Sequence, residues 1–180
     1  GYAVGANGTL LKTTDGGISW NYVHDFETFL FLNDIKFYDQ MNGIAVGTFN
    51  DMTSQYSVVL KTSDAGNNWN KILLPSIASV NKVTYLTGNT LLLNGINLAG
   101  QAVIFKSIDG GLNWLEYRNY GNFVFINDVN SLTNQGIILI TGQYESTGEM
   151  FLFIDISTDN GVTWSSGMPQ PFQDYYPTFS

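Results

Sequence analysis

An all-β fold assembled from repeated four-stranded units is what this sequence predicts. Three observations carry that expectation. One short phrase is written four times: "KTTDGGISW" at 12–20, "KTSDAGNNW" at 61–69, "KSIDGGLNW" at 106–114 and "ISTDNGVTW" at 156–164. Each copy ends at one of the four tryptophans of the chain, Trp20, Trp69, Trp114 and Trp164, separated by 49, 45 and 50 residues. Around them lie short apolar runs of strand length, with no helical period to compete.

The phrase has the pattern Ser/Thr-x-Asp-x-Gly-x-x-Trp. Its copies are Thr13, Asp15, Gly17 and Trp20; Thr62, Asp64, Gly66 and Trp69; Ser107, Asp109, Gly111 and Trp114; Ser157, Asp159, Gly161 and Trp164. This is the chemistry of a tight turn between two strands. The aspartate accepts hydrogen bonds from backbone N–H groups just ahead of it, and glycine supplies a positive φ. The tryptophan is expected to anchor each hairpin by burying its ring. Four aspartates could also suggest a metal or catalytic array. A residue serving chemistry need not recur in every unit, whereas a turn residue must, so the boxes read as scaffold and no metal site is expected.

Each unit holds four strands, A to D in chain order. Strand A is represented by "LNDIKFYD" (32–39), "VNKVTYLT" (80–87) and "INDVNSLT" (126–133), with the alternation of a core-edge strand. Strand B is an apolar run ending in glycine: "GYAVG" (1–5), "GIAVG" (43–47), "NTLLLNG" (89–95) and "GIILITG" (136–142). Such runs suit strands covered on both faces. The box joins C to D. Units of this size with four strands each are the signature of β-propeller blades. The blades are expected at about 1–25 (lacking its inner strand A), 30–75, 78–120 and 124–170, with 176–180 opening a further inner strand or closing the ring.

The boxes match the Asp-box, or BNR, repeat. "LNDIKFYDQMNGIAVG" followed by "VVLKTSDAGNNW" resembles the repeat of the photosystem II stability and assembly factor family and of secreted bacterial propellers. The resemblance implies a ring of six to eight blades, of which about four are present. The chain therefore reads as part of a larger ring, the remainder coming from more chain or from an assembly partner, because an exposed blade edge invites aggregation. The alternative is a closed four-bladed ring. The start at Gly1, inside a strand-like run and without methionine, fits a processed or excised segment.

At 180 residues and 44% apolar, the chain can fill a sizeable core. Seven basic against 15 acidic residues leave a net charge of −8, which repels phosphate backbones and anionic lipid, so nucleic acid is excluded as a partner. No cysteine is present, ruling out a disulfide framework and thiolate metal ligation. No apolar stretch approaches the roughly 20 residues of a spanning helix, so direct membrane insertion is not expected. No cofactor is implied.

Function is expected where the repeat breaks. The segment "NYVHDFETFLFLND" after Trp20 aligns without gaps to "LEYRNYGNFVFIND" after Trp114, placing His24 opposite Arg118, Phe26 opposite Tyr120 and Asp34 opposite Asp128. Strand direction alternates, so the D-to-A and B-to-C connections share one rim and the boxes lie on the other. The irregular rim would present Tyr22, His24, Phe26, Tyr117, Arg118 and Tyr120, with Asp51, Tyr56, Tyr144, Glu145 and Glu149 from the long hairpins. Loops on a rigid scaffold are the usual home of binding residues. Aromatics beside acids suit a protein or a glycan. Phe29, Phe31, Phe123 and Phe125 are expected to pack between blades. His24, aligned with Arg118, reads as a solvated cation or hydrogen-bond donor, and the recurring Asn33, Asn81 and Asn127 as structural hydrogen-bonders. Asp34 and Asp128 are candidates for a chemical role.

The expected function is a non-catalytic, exported interaction module, bacterial and secreted, periplasmic or at the cell surface, binding a protein partner or serving an extracytoplasmic assembly. The rival is a carbohydrate-binding or xyloglucanase-like glycoside hydrolase propeller, which needs two acids roughly 5–10 Å apart. A sialidase is disfavoured, since the resemblance implies an arginine triad and Arg118 is the single arginine.

Overall fold

Each box closes its hairpin in the same way. In the computed structural model, which describes residues 1–26, 28–132 and 135–167, the side chains of His24 and Asp25 excepted, the box hydroxyl bonds the box carboxylate and accepts the N–H of the box glycine. For Thr62 these distances are 2.8 Å to Asp64 and 2.9 Å from Gly66; Thr13, Ser107 and Ser157 repeat them. The indole Nε1 of Trp69, Trp114 and Trp164 donates to the carbonyl of its own box glycine. One position escaped the sequence pattern. The residue before each tryptophan (Ser19, Asn68, Asn113, Thr163) sends its N–H and its side chain to the box carboxylate.

These hairpins sit in four antiparallel sheets. The first has three strands, β1 (Tyr2–Val4), β2 (Thr9–Lys12) and β3 (Asn21–Asp25). The second runs β4 (Leu30–Phe37), β5 (Gly43–Asn50), β6 (Gln55–Thr62), β7 (Asn70–Leu74). The third runs β8 (Ile77–Tyr85), β9 (Leu91–Asn97), β10 (Ala102–Ser107), β11 (Leu115–Gly121). The fourth runs β12 (Val124–Leu132), β13 (Ile137–Ser146), β14 (Glu149–Ser157), β15 (Ser165–Gly167). Each sheet is a blade, its strands in chain order, and no helix occurs among the described residues. The segments 168–180, with Pro169, Pro171 and the strand expected at 176–180, lie outside the described residues.

The recurring asparagines and the terminal glycines of strand B prove to be one device. β4, β8 and β12 each carry a bulge at the asparagine, which drops out of the pairing with β5, β9 and β13. The bulge leaves the carbonyl two residues ahead of the asparagine close to the neighbouring strand, and a Cβ at Gly47, Gly95 or Gly142 would run into the carbonyl oxygen of Phe31, Ser79 or Phe125. Gly5 occupies the same place in the first blade, which has no strand A among the described residues, and a Cβ there would meet nothing within 4 Å.

Blades stack through three apolar clusters. Leu10 joins Leu30, Ala45, Val58 and Leu60 between the first two blades. Ile44, Val46 and Val59 pack on Val83, Leu93 and Phe105 between the second and third. Leu92 and Ile104 pack on Ile126, Val129, Ile138 and Phe153 between the third and fourth. Fully burying such a side chain contributes about 1.5–3 kcal/mol. In the fourth blade no described residue forms a further blade over the equivalent face: Leu139, at the register position of Ile44 and Leu92, is 38% exposed against 0% for both, and Ile154 is 37% exposed against 0% for Val59 and Ile104. The tryptophans are not equally buried either, contrary to expectation. Trp69 is 9% exposed beneath the first blade, whereas Trp20 is 44% exposed, because no blade among the described residues packs against the first one on that side.

Candidate functional site

Most of the irregular residues stand on the rim away from the boxes, and the structure sorts them into three groups. One forms a small cavity of about 180 Å³ between the third and fourth blades, walled by Arg118, Tyr120, Val124, Tyr144 and Phe153 over Asp155. Arg118 and Tyr120 alternate along β11 with side chains toward the fourth blade. Asp155 interrupts the apolar run of β14, so the pleat turns it inward to 2% exposure. Arg118 Nη2 lies 2.6 Å from Asp155 Oδ2, Tyr120 Oη donates to the same oxygen at 2.7 Å, and Arg118 Nε donates to Tyr120 Oη at 2.9 Å. The guanidinium sits 5.2 Å from the Tyr120 ring and 5.1 Å from the Trp164 ring, and Tyr120 stacks on Phe153 with centroids 5.2 Å apart.

The electrostatics follow from that geometry. Burial alone would raise the Asp155 pKa, but hydrogen bonds from Ser166, Tyr120 and Arg118 hold it below its ordinary value. Burial, reinforced by the Asp155 carboxylate, pushes the Tyr120 phenol well up. Arg118 is raised by Tyr120 and Asp155 against the lowering effect of its own desolvation. The one arginine of the chain is thus an interblade tie that donates to Tyr120 and Asp155. The pairing of β3 does place His24 opposite Leu10 as Arg118 lies opposite Ile104; its side chain lies outside the described ones. What the cavity leaves open to a ligand is its aromatic wall.

A second group is engaged in the scaffold. Asp34 Oδ2 accepts the N–H of Val83 from the next blade at 3.1 Å, beside Asn33, which donates to the Val80 carbonyl at 2.6 Å. Asp128 accepts the Val129 N–H at 3.0 Å and the Asn130 side chain. The two acids stand on β4 and β12 with β8 between, and the structure does not bring them together. Asp51 closes the β5–β6 hairpin by accepting the N–H groups of Thr53 and Ser54, both at 2.7 Å, which lowers its pKa. Tyr56 stacks on Phe49 and Tyr144 on Phe151. Phe26 packs against the cluster of the first two blades. Tyr117 belongs to the box rim: only three residues past Trp114, its hydroxyl reaches the carbonyl of Gly161. Glu145 and Glu149 are exposed in the β13–β14 hairpin.

The third group is one that sequence reasoning misassigned. Phe29, Phe31, Phe123 and Phe125 do not pack between blades. They are 52%, 44%, 72% and 55% exposed; Tyr22, 71% exposed, stands instead at the box end of β3, two residues past Trp20 and opposite Leu11. In β4 and β12 the inward positions are taken by Leu30, Leu32 and Ile126, so the alternating phenylalanines must face out. Phe123 also holds φ at +61°, a region that a bulky side chain rarely adopts. The alternation was the signal that could have found them. Among the described residues no group of three or more His, Asp or Glu is placed to hold a metal ion.

Residues 1–114 match the family model described as photosynthesis system II assembly factor YCF48. No curated protein matches the chain in sequence. Among solved structures, the GH74 enzyme of Niastella koreensis superposes with a TM-score of 0.69 at 17% identity, over 94% of this chain and 28% of that one. The GH74 xyloglucanase of Xanthomonas campestris gives 0.59 at 14% identity over 92% and 27%. The Hadza microbial sialidase Hz136 gives 0.62 at 17% over 91% and 37%. The chain thus spans well under half the length of these structures, and at such identities the likeness is one of fold.

Proposed function

The chain belongs to the photosynthesis system II assembly factor YCF48 family, and we propose from that membership that it is a non-catalytic interaction module that holds a protein partner, as part of an extracytoplasmic assembly. The observation that supports this reading is the aromatic rim: four phenylalanines stand exposed where β4 and β12 begin on a rigid β scaffold, one of them at a strained φ. Aromatic residues concentrated on one surface are what the core of a protein interface uses. The net charge of −8 and single arginine direct the reading toward an apolar or basic partner surface. Export goes with the proposal and is checked by fractionating the source cells.

The rival is a glycan-binding or glycan-cleaving propeller. Hydrolysis needs a free carboxylate pair across a common cleft, whereas Asp34, Asp128 and Asp155 are occupied by backbone or side-chain donors. A photo-reactive phenylalanine at position 123, activated in a native extract, is expected to give one discrete cross-linked polypeptide, and Phe125→Ala should cut its yield at least tenfold. Binding on a glycan array with no protein adduct would overturn the proposal.

A further inference from the structure

The box rim, expected to be scaffold alone, carries a cleft of about 640 Å³ between the second and third blades. The equivalent places in the flanking seams are plugged by tyrosine. Between the first two blades, Tyr2 stacks on Phe37 at 4.4 Å and its hydroxyl donates to the Ala65 carbonyl in the next box, where Lys12 Nζ also donates at 2.7 Å. Between the last two, the Tyr117 hydroxyl donates to the Gly161 carbonyl, with Lys106 Nζ 4.6 Å above the ring. In the middle seam both plug positions are isoleucine. Ile44 takes the register position of Tyr2, and Ile72 lies three residues past its tryptophan, as Tyr117 does.

The consequence is a space shaped by the absence of a phenol. Among the described residues no phenol or ammonium donates to the carbonyls of Gly110 or Gly111, the counterparts of Ala65 and Gly66. Lys61, the counterpart of Lys12, brings Nζ alongside Gly110 without a hydrogen-bond partner among them. Tyr85 stands where Phe37 receives Tyr2, and the half-exposed Tyr38 flanks it at 5.4 Å. Asn70 and Asn89 offer amides around the mouth, while the Asn42 amide is held by Asp39. A cleft of several hundred Å³ takes more than one ring. A ring with flanking peptide backbone uses all of these features: stacking on Tyr85, a hydroxyl between the Gly110 carbonyl and Lys61, and main-chain bonds to the amides.

We propose that this cleft is a second binding site, which receives a tyrosine side chain of a partner polypeptide as the missing plug of the middle seam. It lies on the opposite rim from the phenylalanines and stands independently of the reading given for them. The test is titration of the blocked tripeptide acetyl-Gly-Tyr-Gly-amide into the 15N-labelled protein. Saturable shifts are expected at the amides of Lys61, Gly88 and Gly110. Acetyl-Gly-Phe-Gly-amide should bind about fivefold more weakly, the loss of one hydrogen bond. Ile72→Tyr, which supplies the plug internally, should abolish the shifts, and Lys61→Met, which adds no bulk, should weaken binding by a similar fivefold. No saturable shift with the tyrosine peptide, p-cresol binding as tightly as the peptide, or cellotetraose moving the same amides at lower concentration would each overturn the assignment.

Discussion

The seam between the second and third blades and the seam between the third and fourth are built from the same strands in the same registers, yet they satisfy one buried carbonyl by different means. In both, the residue before the bulged asparagine of strand A points its C=O toward the preceding blade. In the earlier seam that carbonyl, of Val80, accepts from Asn33 on strand A of the neighbour. In the later one the carbonyl of Ile126 accepts at 2.8 Å from Asn94 on strand B, and Asn94 Oδ1 takes the Lys82 N–H at 2.7 Å. Asn94 is wholly buried, where the second blade has Val46. A repeat therefore conserves the demand for a donor and leaves its source free. That freedom explains why Lys82 can stand where Asp34 and Asp128 carry acids, and it argues against reading those acids as chemistry.

Coverage gives the largest expected difference. Ile104→Ala, inside the later seam, should destabilise the fold by about 2–5 kcal/mol. Ile154→Ala, at the corresponding position of the fourth blade's outer face and 37% exposed, should cost below about 1 kcal/mol. Urea denaturation of the pair measures both. Equal losses would mean that the outer face of the fourth blade is covered in solution, and the contrast between the two faces would disappear.

The polar tie of the later seam comes next. Asp155→Ala leaves Arg118 and Tyr120 without their shared acceptor. Removing one partner of a buried ion pair costs about 3–5 kcal/mol, and the 30% exposure of the Arg118 side chain brings the expectation to about 2–3. A double-mutant cycle with Arg118→Met should return a coupling of the same sign. Additive losses would show that the pair is held in place without contributing to the seam.

Asn94→Val, which copies the earlier seam into the later one, should cost about 1–3 kcal/mol, because the Ile126 carbonyl is left without its donor. Asn33→Val should cost about 1 kcal/mol, since Asn33 is on the exposed side of the bulge. If the two substitutions cost the same, the buried donor confers no advantage over the edge donor.

Most of this architecture was legible beforehand. The box pattern located the hairpins and the glycine-ended runs located strand B, because each is a local steric or turn requirement that every blade must meet; the recurring asparagines stood out as hydrogen-bonders, and their bulges emerged only with the strand pairing. The site was less legible. Arg118 was visible as an oddity, but its partner Asp155 lies 37 residues away on another blade, and nothing local to β14 announces where an inward acid will find its cation. The exposed phenylalanines were misread because apolar residues default to the core, although the alternation with Leu30, Leu32 and Ile126 already placed them on the other face. The middle-seam cleft depends on two positions that are unremarkable isoleucines until set beside Tyr2 and Tyr117.

The smallest effect should be the one the seams share. Each box aspartate is held below the ordinary carboxyl value of 3.8: Asp64 at about 2, chiefly by the Asn68 side chain; Asp109 at about 2, chiefly by the Asn113 N–H; Asp159 at about 2, chiefly by the Thr163 side chain; and Asp15 lower still, chiefly by Ser19. A carboxyl whose folded pKa is depressed favours the fold while it is ionised. Its contribution is complete above the unfolded value and is lost as pH falls through the folded one. Stability should therefore be level down to about pH 4 and decline toward about pH 2. All four tryptophans sit in boxes, so their emission reports that decline directly. Asp109→Asn should make the decline shallower without moving where it starts, since three boxes keep their carboxylates. A decline that begins above pH 5, or one that Asp109→Asn does not alter, would place the acid-sensitive groups outside the boxes and assign the shared scaffold less of the stability than its four-fold repetition implies.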